Sequence, residues 1–304
     1  MIALISVEVR RLLSRRLFKF LTALAVLAFA VVGTIIFVAS DNSPRRVAQA
    51  HQDRAAGIAR CVRDVNDDIS GGSHDVAPAA IEDPERFCRN QSYGSDPRFG
   101  YRELKWILSS LGFPLMMLGW LLGASFMGAE WNNRTVTTTL TWEPRRARVL
   151  CAKAVALILI AFAWIVALQI VLAGALYPAG AFEGTMAGVD ANWWTDTGQI
   201  ALRAGGLASL AALLGLSLGT IGRNTAAALG VGFIYLSVIE GLIRGYKPAW
   251  TDWLVGDNAA LVLVGRIEVN HLGHSEAAAG LLLVGYSAAI FGIALVFFRR
   301  RDVA

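Results

Sequence analysis

Charge is what this chain has least of. Only 17% of its 304 residues are Asp, Glu, Lys or Arg, against 55% hydrophobic residues and a mean hydropathy of +0.51, a balance that excludes an ordinary soluble domain. Lysine is scarcer still, with Arg outnumbering it 24 to 4. The net charge of +5 sits in clusters beside apolar runs, where basic residues set topology and meet lipid headgroups, so it implies the bilayer and no nucleic acid as a partner. A phosphate loop of the form G-x-x-x-x-G-K-[ST] is missing, so the chain is expected to bind no nucleotide cofactor and to hydrolyse no ATP alone. Paired carboxylates, a nucleophile elbow and a His inside an apolar run are missing too, which leaves no catalytic set at membrane depth. The H-x-x-H at His271 and His274 lacks a third ligand and reads as a hydrated loop, with no metal site expected.

What the chain does have is six apolar stretches long enough to cross a hydrocarbon core of about 30 Å, which takes roughly 20 residues as a helix. They fall at 17–39, 106–127, 154–177, 199–221, 225–243 and 277–298, which predicts an all-α polytopic membrane protein. Basic residues fix the orientation. Arg10, Arg11, Arg15, Arg16 and Lys19 precede the first span, Arg223 lies in the turn after the fourth, and Arg299 to Arg301 follow the sixth. Together with the Arg-rich segment after span 2 they place both termini in the cytoplasm of a cell that carries the chain in its plasma membrane. The first apolar run, Leu21 to Ala39, has full span length and no A-x-A-like exit, so it is expected to stay as an anchor.

Residues 1–19 place Ile2, Ile5, Val9, Leu12, Leu13 and Leu17 at helical spacing opposite Arg10, Arg11, Ser14 and Arg15, the pattern of an amphipathic helix at the cytoplasmic interface. Residues 41–104 form a polar extracytoplasmic domain, since long loops translocate regardless of their charge. It holds Cys61 and Cys88. On an oxidising face the pair predicts a disulfide, the alternative being two free thiols in a loop. Cys151 lies at the cytoplasmic mouth of span 3 and is expected to be reduced. Between spans 5 and 6, residues 244–276 carry an apolar patch, AALVLVG, too short to span but suited to a re-entrant helix in the outer leaflet.

The segment 128–153, GAEWNNRTVTTTLTWEPRRARVLCAK, has more chemistry than a connector needs. An acid just past a span (Glu130), a Thr-rich turn around Thr138, then Pro144, Arg145 and Arg146, and Lys153 at the mouth of the next span resemble the coupling region of ABC-2-type permeases. These are the membrane subunits of ATP-driven exporters. The resemblance implies that Glu130, Arg134, Thr138, Arg145, Arg146 and Lys153 form the contact with an ATPase subunit, present in two copies, that binds ATP and Mg. It also implies a second permease beside this one, as a homodimer or a pair of similar chains. Arginines here suit bidentate contacts to acids or phosphates. The simpler reading of the same residues is a topogenic charge cluster without a specific partner.

Inside the spans, Gln169, Arg203 and Glu240 are the polar positions. Gln169 and Glu240 are candidates for a substrate path, although Arg244 at i+4 gives Glu240 an internal partner and Arg203 can snorkel to the outer end. The pairs Gly119/Gly123, Gly215/Gly219 and Gly241/Gly245 predict close helix approach, and Pro114 predicts a bend in span 2. Two other classes compete with a transport subunit, a membrane-embedded enzyme and a sensor or assembly protein whose outer domain binds a ligand. No transported substrate is legible in the residues.

Overall fold

The computed structural model describes residues 1–71, 83–91, 96–265 and 272–300. Among the described residues there are helices and no strands, with one isolated parallel bridge joining Gly100 and Thr185. In chain order the helices are α1 (Ile2–Ser14), α2 (Arg16–Ala39), α3 (Pro44–Ser70), α4 (Pro84–Asn90), α5 (Leu104–Asn132), α6 (Thr135–Trp142), α7 (Arg146–Phe182), α8 (Ala191–Gly222), α9 (Thr225–Ile234), α10 (Glu240–Tyr246), α11 (Val255–Val264) and α12 (Glu276–Arg300). A π-helical turn, Tyr235–Ile239, carries α9 into α10 without a break in direction of the hydrogen-bonded ladder.

Six of these segments are long and apolar enough to cross a membrane: Arg16–Ala39, Tyr101–Asn132, Arg146–Phe182, Ala191–Gly222, Thr225–Tyr246 and Glu276–Arg300. They fit a multi-pass membrane protein. Each matches an expected span, but several overrun it, α7 most of all, beginning at Arg146 and not at 154 and ending at Phe182 and not at 177. At its start a hydropathy reading stops where charge begins, whereas Arg and Lys are good helix formers and the backbone ladder continues through them; at its end the helix runs on through Pro178. The segment 128–153 is therefore mostly helix. Only Asn133, Arg134 and residues 143–145 lie between helices in it.

Clustering of contacts divides the structure into two compact units. The first comprises Met1–Ala28, Glu103–Leu172 and Asp190–Ala304. At its centre is α8, whose most apolar window is 72% buried, where that of α2 is 17% buried and presents Phe20, Leu24, Leu27 and Ile35 outward. The approach of α8 to α5 depends on glycine. A Cβ on Gly119 would collide with the Ala208 carbonyl, one on Gly123 with the Ala212 carbonyl, and one on Gly215 with the Trp120 carbonyl. Small residues thus let two backbones meet where no large hydrophobic gain separates one helix face from lipid. Hydroxyls along the buried face of α8 stay satisfied within the helix: Ser217 donates to Leu213 O at 2.7 Å and Thr220 to Leu216 O at 2.7 Å. Gly241 and Gly245 differ, since nothing lies within 4 Å of a Cβ at either. The expected close approach at that pair is not made among the described residues. Pro114 lies inside α5, which runs unbroken from Leu104 to Asn132.

The second unit comprises Phe29–Arg102 and Ala173–Val189. Here a disulfide joins Cys61 of α3 to Cys88 of α4. Asp83 caps α4 by accepting from Arg86 N at 2.9 Å, which settles one of the free donors at the helix start. Tyr101 is fully buried, with its N–H on Thr185 O at 3.0 Å and its hydroxyl on Ala173 O at 2.9 Å. Outside any span, the Ser43 side chain and then its N–H, which donates to Asp41 at 2.8 Å, hold the Asp41 carboxyl below its ordinary range.

Candidate functional site

The site is built on the first helix of the chain. Residues 2–14 of α1 carry a single acid, Glu8, among basic neighbours, and it points inward beside Leu12, with 1% and 0% of their surfaces exposed. The helix stops at Arg15, whose φ of −63° and ψ of 135° are extended, so α1 and α2 are separate helices hinged at one residue. That turn of the backbone swings the Arg15 side chain onto the last turns of α5. It donates to Ser125 O and to Phe126 O, both at 3.0 Å, with its guanidinium 4.6 Å above the Phe126 ring. Burial pushes Arg15 below its ordinary pKa, while Glu130 and then Glu8 pull the other way.

Lys153 closes the cluster. Reaching from the first turns of α7, its Nζ donates to Glu130 Oε1 at 2.7 Å and to Glu8 Oε2 at 2.9 Å, and it sits 4.9 Å from the centre of the Phe126 ring. Arg15 also approaches Glu130 Oε1, at 3.7 Å. Lys153, Arg15 and, from the exposed side, Arg11 at 3.4 Å from Glu8 thus surround two carboxylates in a space where Lys153, Glu8 and Glu130 are almost wholly buried. Such a group adds little net stability over an apolar core, because desolvation offsets the Coulomb gain. Removing one member strands the others at a cost of about 3–5 kcal/mol. What it supplies is registry, since α1, α5 and α7 are held in one arrangement by three side chains.

Between the two clamped helices α5 and α7 stands α6. Arg134 enters it in the left-handed region, at φ 54°, which bends the chain sharply at a cost of roughly 1–2 kcal/mol for a non-glycine residue. Val136 packs inward, while Arg134, Thr138, Trp142 and Arg145 are exposed. Trp142 is 88% exposed, a large aromatic surface left on a polar helix, and such residues concentrate at the centres of protein contacts. Neither the Arg134 nor the Arg145 guanidinium pairs with a carboxylate among the described residues, although Arg145 N donates to Glu143 at 3.4 Å. Arg148 pairs with Glu143 at 3.8 Å.

The residues singled out in the sequence therefore divide. Glu130 and Lys153 come together in the buried cluster, and Arg134, Thr138 and Arg145 lie on or beside the exposed helix, with Arg146 opening α7. Three other participants carried only weak signals. Glu8 is the lone acid of a basic amphipathic helix, Arg15 was assigned to its solvent face, and Trp142 was hidden in a Thr-rich run. Only the inward turn of the first two reveals them.

Further features lie elsewhere in the first unit. Glu240 is 1% exposed and fully engaged: Gly256 N donates to it at 2.9 Å, Arg244 at 3.0 Å, and Arg244 also reaches Asp257 at 3.1 Å. A side chain at Gly256 would crowd that carboxylate, so this group locks α11 against α10. Arg203 pairs with Glu276 at 2.8 Å and does not stand free at the helix end. An apolar cavity of about 360 Å³ opens between α5, α8, α9 and α12, lined by Trp120, Leu214, Tyr235, Trp253 and Tyr286 among others. Neither Gln169 nor Glu240 lines it. Gln169 is 1% exposed, and both atoms of its amide lack a partner among the described residues. His274 shares a 2.7 Å contact with Asn258, His271 lies outside the described residues, and no metal-ligating group occurs among the described residues. Neither the family models nor the curated proteins compared with this chain give a match.

Proposed function

We propose that this chain is the permease subunit of an ATP-binding cassette exporter of the ABC-2 type, driven by a separate ATPase subunit that binds ATP and Mg. The observation that carries the reading is the pairing of an exposed, unpartnered helix, α6, with a buried ion cluster that ties both its flanking helices to α1. A docking helix alone would be an interface. A docking helix whose two neighbours are clamped through Lys153 is a lever, because displacing α6 must move α5, α7 and α1 together or break the cluster.

In this reading the Arg-rich end, which gathers Arg134, Arg145, Arg223 and the end of α12, faces the cytoplasm, and α1 lies along the interface. The helix α11, 10 residues long, is too short to span and dips into the outer leaflet as a re-entrant element. The disulfide-bearing segment is then extracytoplasmic, where a disulfide persists. A second permease, most simply another copy, faces this one, and Gly241 and Gly245, which approach no other helix among the described residues, give it a face for close helix approach. Catalysis belongs to the partner. Purification of the tagged chain from its native membrane in mild detergent tests the proposal: it should bring down a polypeptide with a G-x-x-x-x-G-K-[ST] loop, and recovery of the chain without one would count against it.

A further inference from the structure

A cleft of about 570 Å³ lies against the ion cluster, lined by Arg11, Arg15, Arg16, Glu130, Asn133 and Thr135 among others. Its size falls within the range of roughly 300–1,000 Å³ found for small-molecule sites. Its charges are unevenly used. Arg15 is spent on two backbone carbonyls. Arg11 reaches Glu8 only at 3.4 Å and is 48% exposed, while Arg16 has no acidic partner among the described residues. On the other side, Glu130 gives one oxygen to Lys153, whereas its buried Oε2 has no donor among the described residues. A buried carboxylate oxygen without a donor is costly, and the exposed Arg11 and Arg16 at the mouth of the cleft keep guanidinium donors open to an anion.

One ligand chemistry answers both needs. A phosphate meets Arg11 and Arg16 with the fork geometry that guanidinium favours, and a primary ammonium gives Glu130 Oε2 an N–H. The place fits as well, because Arg16 is the first residue of α2, a helix able to span the membrane, and phosphates of a bilayer lie at that level. We propose that this cleft binds a phosphoethanolamine headgroup. A trimethylated ammonium would bring charge without a donor, and a glycerol headgroup would bring phosphate without an ammonium, so both are discriminated against. The site goes beyond the exporter reading and stands whether or not an ATPase docks on α6.

Native mass spectrometry of the full chain, delipidated and then exposed to phosphatidylethanolamine, phosphatidylcholine and phosphatidylglycerol of identical acyl chains, tests this. Phosphatidylethanolamine should be retained about tenfold over the other two, the factor that one charge-assisted hydrogen bond supplies. Arg16→Gln, at an exposed position outside the ion cluster, should lower retention of phosphatidylethanolamine and phosphatidylglycerol alike while the melting temperature holds. Glu130→Gln should erase the preference for the ethanolamine headgroup. Free phosphoethanolamine separates two sources of the same chemistry: displacement of the lipid by it marks a headgroup site, and failure to displace marks a site that also needs the acyl chains. Equal retention of all three lipids, or retention unchanged by Arg16→Gln, would overturn the proposal.

Discussion

Lys153 Nζ donates to Glu8 Oε2 across 2.9 Å, joining residues 145 positions apart in a space that water barely reaches. The bond makes the amphipathic N-terminal helix part of the same rigid group as the helices on either side of α6.

Removing the buried cation should leave Glu8 and Glu130 facing each other with only the longer contacts of Arg11 to Glu8, 3.4 Å, and Arg15 to Glu130, 3.7 Å. Lys153→Met is expected to cost about 3–5 kcal/mol, read as a lower midpoint in thermal unfolding of the detergent-solubilised protein. Glu8→Leu combined with Lys153→Met removes one charge of each sign and leaves Glu130 with Arg15. It should recover most of the lost stability while leaving partner-dependent activity impaired, which separates the cluster's mechanical role from simple packing.

The close packing of α5 on α8 predicts sharp asymmetry between glycines. Gly123→Leu drives a side chain into the Ala212 carbonyl and should destabilise by about 1–3 kcal/mol or more. Gly241→Leu, with open space around its Cβ, should change the stability of the isolated chain by no more than about 0.5 kcal/mol. Thermal unfolding of the two variants side by side checks the contrast.

The disulfide closes a loop with a sequence separation of 27, for which the chain-entropy relation gives about 3.5 kcal/mol. Cys61→Ser should therefore make α3 and α4 far more sensitive to limited proteolysis. Cleavage confined to residues 44–90, with the first unit intact, is the expected pattern.

The proposed orientation rests on the gathering of Arg at one end. A maleimide label at an introduced Asn133→Cys should be blocked from outside sealed cells, while one at Asp68→Cys in α3 should react. Reversed accessibility would contradict the cytoplasmic placement of α6.

Much of the architecture was legible because it rests on hydropathy, which acts residue by residue. Six apolar runs of span length came from hydropathy alone, whereas the pairing of Cys61 with Cys88 was expected only because both lie in one polar segment assigned to an oxidising face, with two free thiols as the alternative. Span ends were less legible, as α7 shows, since backbone hydrogen bonding continues where hydropathy fails. The site was readable only in part. Glu130 and Lys153 drew notice as charges at span ends, but their meeting with Glu8 depends on α1 ending at the extended Arg15 and on an acid set within the buried face of that helix beside Leu12. Periodicity reports one face per helix and is silent on such a hinge. The clamp on Glu240 was half visible, because Arg244 is at i+4 whereas the Gly256 N–H comes from another helix.

The central claim is that α6 docks on an ATPase, and a photoreactive amino acid at Trp142 tests it at the point of contact. Irradiated in native membranes, the Trp142→benzoylphenylalanine variant should yield an adduct whose peptides belong to a protein carrying a phosphate-binding loop. The same substitution at Trp250, exposed elsewhere in the first unit, should not. Adduct formation at both positions alike, or at Trp142 with lipid only while a nucleotide-binding subunit is present in the membrane, would contradict the account.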